Sequence, residues 1–331
     1  MKSYTAICFF IAVSLILCPL VSVKSAKETF SANVSGENAE EREIYVTEES
    51  AEATVSAENV KVLAASSGKL NEMPVREYLI ACVAAEIGGT AEEETIKAQA
   101  IACHSLLLYK KAHKDSSLGD ADISDASQKL LSTDEQKEKW GENYSAYREK
   151  IEKCVAEVEN KILCFDGEPI MATFFSLCNG KTENAENVWG NAVPYLVSVD
   201  SPDDKLSPNY SSTVSVTSEE FKKVLAEKGA APSENAEEWI GKSELNSTGT
   251  VKSISLCGKS FSGTEVRSMF SLKSATFSVK YEDGKFVFSV SGYGHGVGMS
   301  QYGANEMAKK GNTYDEILLH YYKNSVISTI T

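Results

Sequence analysis

The sequence predicts an α+β protein, with N-terminal helices packed against a β-rich remainder and a substrate groove between them. Two observations carry this. Helical periodicity is concentrated between residues 74 and 160, and short runs bounded by turn residues dominate after residue 161. The regular strand–helix alternation of a parallel sheet is missing, and no internal repeat is visible.

The chain opens on a membrane signal. Thr5 to Val23 is uncharged and mostly apolar, with Lys2 before it and Lys24 after it. Nineteen residues is the lower end of what spans a bilayer core. Residues 1–26 are therefore read as a single-pass signal-anchor, in preference to a cleaved signal, because no clean small-x-small site follows. Either reading puts the rest of the chain outside the cytoplasm. Residues 27–65 are expected to be a disordered acidic linker; positions 27–60 hold nine Glu against Lys27 and Arg42, a net charge of −7. Residues 66–331 then form the extracytoplasmic domain. The whole chain carries −14, which argues against nucleic acid or an anionic membrane face as a partner. Six of the eight cysteines fall outside the apolar run, and free buried thiols or one or two bridges fit better than a disulfide framework.

Residues 74–87 form the first predicted helix, with Pro74 at its start, Val75, Leu79, Cys82 and Val83 on one face, and Gly88–Gly89 as the stop. Thr90 is the expected N-cap of the next helix, with Glu93 completing a capping box and Lys110, Lys111, His113 and Lys114 near its end. Residues 115–140 read as irregular, followed by a helix from about Tyr144 to Asn160 with Ile151, Val155 and Val158 inward. A hairpin is expected from Ile162–Phe165, the Asp166–Gly167 turn and Ile170–Ser176. Further strands fit 196–199, 213–217, 251–256, 275–281 and 285–291; helices fit 219–228, 264–268, 304–310 and 314–322.

Three regions carry polar chemistry. Glu86 ends the first helix among small and apolar neighbours. The negative helix end and partial burial both disfavour its carboxylate, which is what a general acid needs, although a solvated glutamate with no task fits the same spacing. Residues 175–190 gather Ser176, Asn179, Thr182, Glu183, Asn184 and Asn187 before Trp189, a make-up suited to sugar hydroxyls and equally to an ordinary loop. Gly292, Gly294, Gly296 and Gly298 alternate around His295 and demand positive φ or close backbone approach, and the spacing is not that of a phosphate loop. Rival chemistries are poorly served. No metal and no cofactor are expected: His104 and His113 lie on different faces of one helix, and no C-x-x-C or H-E-x-x-H occurs. A Cys178–His295 peptidase pair is the remaining nucleophile option.

VREYLIACVAAEIGGTAEEETIKAQAIA, FFSLCNGKTENAENVWGNAVPYLVSVDSPDD and GYGHGVGMSQYGANEMAKKGNTYDEILLHYY, with GTEVRSMFSLKSATFSV, closely resemble the stage II sporulation protein D family, which shares its domain with the amidase enhancer LytB. The resemblance spans roughly residues 70–326. It implies a membrane-anchored bacterial lytic transglycosylase of endospore engulfment that cuts peptidoglycan glycan strands between N-acetylmuramic acid and N-acetylglucosamine, leaving a 1,6-anhydro product. The family's catalytic glutamate maps onto Glu86 in V-A-A-E. Gln99, His104, Ser176, Glu183, Tyr195 and His295 become candidate substrate-binding residues. Implied partners are glycan strands stripped of stem peptides, a sporulation amidase and a membrane scaffold protein of the engulfment complex. The alternative is a non-catalytic wall-binding protein that activates an amidase. The sequence departs from the family at His104, where relatives often carry Arg, and at Phe175, where they often carry His.

Overall fold

A computed structural model of the protein describes residues 59–330, so the apolar run and most of the acidic linker lie outside the described residues. The domain is α+β, as predicted. It starts earlier than the sequence pattern suggests. Asn59–Ala64, in the stretch read as linker, is strand β1, antiparallel to β2 (Lys69–Pro74), and Val60 and Val62 are buried in the core. Alternation over so few residues is easily lost beside a glutamate-rich run.

Helices α1 (Val75–Glu86) and α2 (Glu93–Ala112) follow as predicted, and α2 has Glu93 and Glu94 in its first turn and Lys110 and Lys111 in its last. Its N-cap, however, is Glu92 and not Thr90. The reason is tertiary: Asn305 Oδ1 accepts from the Glu92 N–H at 2.9 Å, so a distant side chain does the work expected of a local capping box. The short β3 (Ile123–Ser124) joins β1 in parallel.

Helix α3 (Thr133–Trp140) occupies a stretch read as irregular. Ser132 and Glu135 make a reciprocal capping box, but only Gln136 is buried, so the helix has no apolar stripe to be read. Helix α4 (Tyr144–Val158) buries Ile151, Val155 and Val158 as expected. The hairpin after it is β4 (Lys161–Phe165) and a curtailed β5 (Glu168–Pro169). The expected second arm, Ile170–Ser176, is mostly not strand. Ala172 N–H bonds the Ile170 carbonyl at 2.9 Å and Thr173 N–H the Met171 carbonyl at 2.8 Å, consecutive γ-type turns that lift the chain off the sheet. Only Phe174–Phe175 returns to a strand, β6.

After α5 (Ala185–Trp189), Leu196–Val199, expected as a strand, is not one. Side chains replace the partner strand: the N–H groups of Ser198 and Val199 donate to Asn184 Oδ1 and Thr182 Oγ1 at 2.8 and 2.9 Å. The chain then builds β7 (Ser211–Thr217), α6 (Ser218–Glu227), β8 (Ile240–Leu245), β9 (Val251–Leu256), β10 (Lys259–Ser262), α7 (Gly263–Met269), β11 (Phe277–Glu282) and β12 (Lys285–Ser291). These form two three-stranded antiparallel sheets, β11–β12–β7 and β10–β9–β8. Their core is separate and aromatic, with Phe221 stacked on Phe286 at 3.8 Å between centroids and on Phe270 at 5.0 Å.

The chain then re-enters the first core. β13 (Met299–Ser300) pairs in parallel with β6, α8 (Gln301–Lys309) and α9 (Tyr314–Tyr321) pack on α2, and β14 (Val326–Thr329) completes the β4 sheet. Residues 211–291 are thus an inserted lobe, flanked by the two segments that form the candidate site.

Candidate active site

Glu86 is the last residue of α1, half-buried. The helix stops there because the N–H groups of Ile87 and Gly88 both fold back onto the Val83 carbonyl, at 3.1 and 2.9 Å, with Gly88 at φ +70°. Gly89 must lack a side chain, since a Cβ there would lie 2.3 Å from Tyr147 Cβ. Lys139 Nζ donates to the Ala84 carbonyl at 3.3 Å, covering the negative end of the helix. The Trp140 indole lies against Gly88.

The hydrogen-bond partner of the Glu86 carboxyl is a neutral amide. Gln301 Nε2 donates to Glu86 Oε2 at 3.4 Å and to Gln99 Oε1 at 3.3 Å, and Gln99 Nε2 in turn reaches Cys103 Sγ at 3.4 Å. Burial raises the Glu86 pKa; the Gln301 bond and the ammonium groups of Lys129 and Lys139 partly oppose it. Burial, rather than the helix end, dominates. Gln301, Lys129 and Lys139 carry no distinguishing signal in the sequence. The two lysines fall in the stretch read as irregular, and Gln301 lies in the quoted glycine-rich segment, where no spacing rule marks an amide.

The glycine alternation has the expected cause. Gly292, Gly294, Gly296 and Gly298 have φ of +85°, +119°, +85° and +82°. A Cβ at Gly298 would lie 2.0 Å from the Thr173 carbonyl oxygen, and one at Gly294 2.6 Å from Phe175 Cβ. The loop lies flat on β6 for this reason and delivers Gln301 to Glu86. His295 is gripped by backbone: its Nδ1 accepts from Val297 N–H at 3.1 Å, and the ring also bonds the Phe174 carbonyl. Its ring centroid is 5.7 Å from that of Phe175 and 5.5 Å from that of Trp189. Burial and nearby Arg267 push its pKa down to about 4, so it is neutral at physiological pH. With both ring nitrogens occupied it cannot activate Cys178. That thiol is itself pushed strongly up by burial and by the Asp204 carboxylate, which removes the peptidase alternative.

The remaining candidates divide. Gln99 is in the Glu86 network. Ser176 lies beside it along the chain fold, its carbonyl accepting from Tyr302 N–H at 3.0 Å. Glu183 is 2% exposed and saturated. Its Oε1 accepts from Asn184 N–H at 2.8 Å and Asn187 Nδ2 at 2.7 Å, and its Oε2 from the hydroxyls of Thr248 and Thr250 in the inserted lobe. It ties the two lobes together and offers no oxygen to a sugar. Tyr195 is turned inward, its hydroxyl accepting from Met171 N–H at 3.1 Å. His104 is not brought to Glu86. Five residues beyond Gln99, it points about 140° away around α2. It is buried by the end of α4, with a bond to the Glu159 backbone and no partner for Nδ1, and burial lowers its pKa to about 4. Asp204, unmarked in the sequence, is a buried pin that accepts from Cys178 N–H at 2.7 Å and Ser300 Oγ at 2.9 Å. Among the described residues no cluster of His, Cys, Asp or Glu forms a metal-ligand set, and the six cysteines are free.

This site, a carboxyl at a helix end facing a glycine-alternating loop, defines a class that comparison with known proteins makes specific. Residues 64–165 match the stage II sporulation protein family SpoIID. The chain is 37% identical over 278 residues to stage II sporulation protein D of Bacillus subtilis, covering 82% of this chain and 79% of that one, and 36% identical to stage II sporulation protein D of Bacillus amyloliquefaciens, covering 82% and 78%. It is also 26% identical to an amidase enhancer of Bacillus subtilis over 56% of this chain and 33% of that one. The chain belongs to the stage II sporulation protein D family.

Proposed function

We infer that the protein is a peptidoglycan lytic transglycosylase of sporulation, with Glu86 as its acid and base. The observation that carries this is the state of Glu86: half-buried, bonded to a neutral amide, with its pKa raised, and acted on by the ammonium groups of Lys129 and Lys139 and, among the described residues, by no second carboxylate. An ordinary glycosidase needs a second carboxylate to direct water or form a covalent intermediate. A lytic transglycosylase does not, because its nucleophile is the sugar's own C6 hydroxyl. The protonated Glu86 carboxyl gives its proton to the glycosidic oxygen as the C1–O bond breaks. The resulting carboxylate takes the C6 hydroxyl proton as that oxygen bonds C1. The 1,6-anhydro ring closes and Glu86 ends as it began.

Membership of the family supports a sporulation role, and the apolar run Thr5–Val23 supports an anchored, extracytoplasmic site of action. Among the described residues no helix is long and apolar enough to cross a membrane. The amidase-enhancer relative supports a partner amidase, and equally a second reading in which the protein binds wall and stimulates that amidase without cutting. The full-length protein and its Glu86→Gln variant, incubated with peptide-free glycan strands and read by mass spectrometry, test both. Anhydro-muramic ends made by the wild type and lost in the variant are expected. Cleavage that persists in the variant would remove Glu86 from the chemistry. Strand binding without cleavage, with faster amidase turnover, would establish the second reading.

A further inference from the structure

The hydrogen bonds of Glu86 continue into the core, and what they do for the reaction rests on the acid–base reading above. Cys82 and Glu86 stand one turn apart on α1, and Gln99 and Cys103 one turn apart on α2. Where the two helices meet, the Cys82 thiol bonds Cys103. Gln99 and Cys103 are fully buried, and Gln301 on α8 is half-buried. Gln99 Nε2 donates to Cys103 Sγ at 3.4 Å, which turns Gln99 Oε1 toward α8. That oxygen accepts from Gln301 Nε2 at 3.3 Å, and the same nitrogen donates to Glu86 Oε2 at 3.4 Å. Among the described residues the two amides make no other side-chain hydrogen bonds. An amide presents donors at one end and an acceptor at the other, so its partners set its orientation. A reversed Gln99 would set its NH2 group against that of Gln301. The sulfur end of the chain therefore decides which end of Gln301 meets Glu86. Buried, with both amide atoms taken, Gln99 offers nothing to a sugar.

We propose that Gln99 and Cys103 are positioning residues: acting through the Gln301 amide, they hold an N–H and not a carbonyl against Glu86 Oε2, so that Oε1 carries the proton the reaction transfers. Glu86 Oε1 has no hydrogen-bond partner among the described residues, so it is the oxygen free to give and retake that proton. The other groups acting on Glu86 are Lys129, ahead of α3, and Lys139 within it. Tyr78 and Cys82 on α1 itself are held protonated by burial and stay neutral while Glu86 titrates.

The full-length protein, with carbon-13 at the glutamate Cδ, is titrated by NMR; the Glu86 signal is the one absent from Glu86→Gln. Gln301→Met removes the N–H and should raise the Glu86 midpoint by about one pH unit. Cys103→Ala and Gln99→Leu free the Gln301 amide to turn, and each should raise it by about half a unit. Cys103→Ser keeps an acceptor in place and should restore most of the wild-type midpoint. In strand digestion Gln301→Met should lower kcat roughly tenfold with KM unchanged, and the alkaline limb of the rate should move up with the midpoint. A purely structural Cys103 would lower Tm and leave the midpoint in place, which overturns the proposal. So does a midpoint unmoved by Gln301→Met. If the buried Gln99→Leu variant does not fold, the Ala and Ser variants of Cys103 decide. Midpoints that shift as expected in a wild type and variants that make no anhydro-muramic ends would establish the positioning and overturn the lytic reading.

Discussion

Replacing Glu183 with Ala should destabilise the fold far more than a sugar-contacting residue could. The carboxylate is 2% exposed and serves four donors: the Asn184 amide, the Asn187 side chain and two threonine hydroxyls. Removing it orphans them together. The two hydroxyls are 3.3 Å apart and can turn to each other, which recovers part of the loss. Taking two donors as left unsatisfied at about 1–3 kcal/mol each, the cost is about 2–6 kcal/mol. For a domain of this size each kcal/mol moves the midpoint by about 2–4 °C, so Tm should fall by roughly 10 °C. Circular dichroism melts of wild type, Glu183→Ala, Thr250→Val and the double variant provide the assay. The double variant should lose less than the sum of the singles, since the pair shares one bond. A Tm within 2 °C of wild type (about 0.5–1 kcal/mol by the same conversion), together with a large fall in strand binding, would refute the tie between lobes and return Glu183 to the substrate.

Three other outcomes follow from the described geometry. Because burial raises the Glu86 pKa, the folded state holds that proton above the unfolded value, so its contribution is present below about pH 4.5 and lost as pH rises through the folded value; Glu86→Gln should raise Tm at pH 8 and leave it unchanged at pH 4 in parallel melts. His104 and His295 are both depressed to about 4, so their contribution is present above about pH 6.5 and lost as pH falls through 4; urea titrations should show stability falling across that window by about 3 kcal/mol per histidine, and His104→Leu should make the fall shallower by one proton. Gly298→Ala should cost more than the ~1–2 kcal/mol of left-handed backbone alone, because its Cβ meets the Thr173 carbonyl oxygen at 2.0 Å; a urea midpoint unchanged from wild type would refute the close approach.

The legible parts of the fold were those with local causes. Helices α1, α2 and α4 carry apolar periodicity, and Gly88 marks its stop within the sequence itself. Glu86 is readable as the end of its helix, and the raised pKa follows in direction, though burial outweighs the helix end; its catalytic role is what the family resemblance implies. What failed had distant causes or no apolar signal. The acceptor for the N–H of the α2 N-cap Glu92 is Asn305, more than two hundred residues away. Helix α3 buries only Gln136, and β1 hides beside an acidic run. His104 and Glu183 looked like polar groove residues, since sequence alone does not distinguish a polar group facing solvent from one satisfied inside. Lys129 and Lys139 act on Glu86, and Arg267 on His295, through proximity in space, and no spacing rule reports that.

The inserted lobe also sets an order of assembly. β6 pairs with β13 across 125 positions, Phe174 opposite Met299, and the amide that meets Glu86 comes from residue 301. Closing so long a loop is entropically slow, and a chain emerging N-terminus first makes the 211–291 lobe before the first core can shut. Until residue 301 has arrived, Glu86 lacks its hydrogen-bond partner. The site is thus a late product of synthesis, and a chain cut short anywhere in the second lobe carries the glutamate without Gln301.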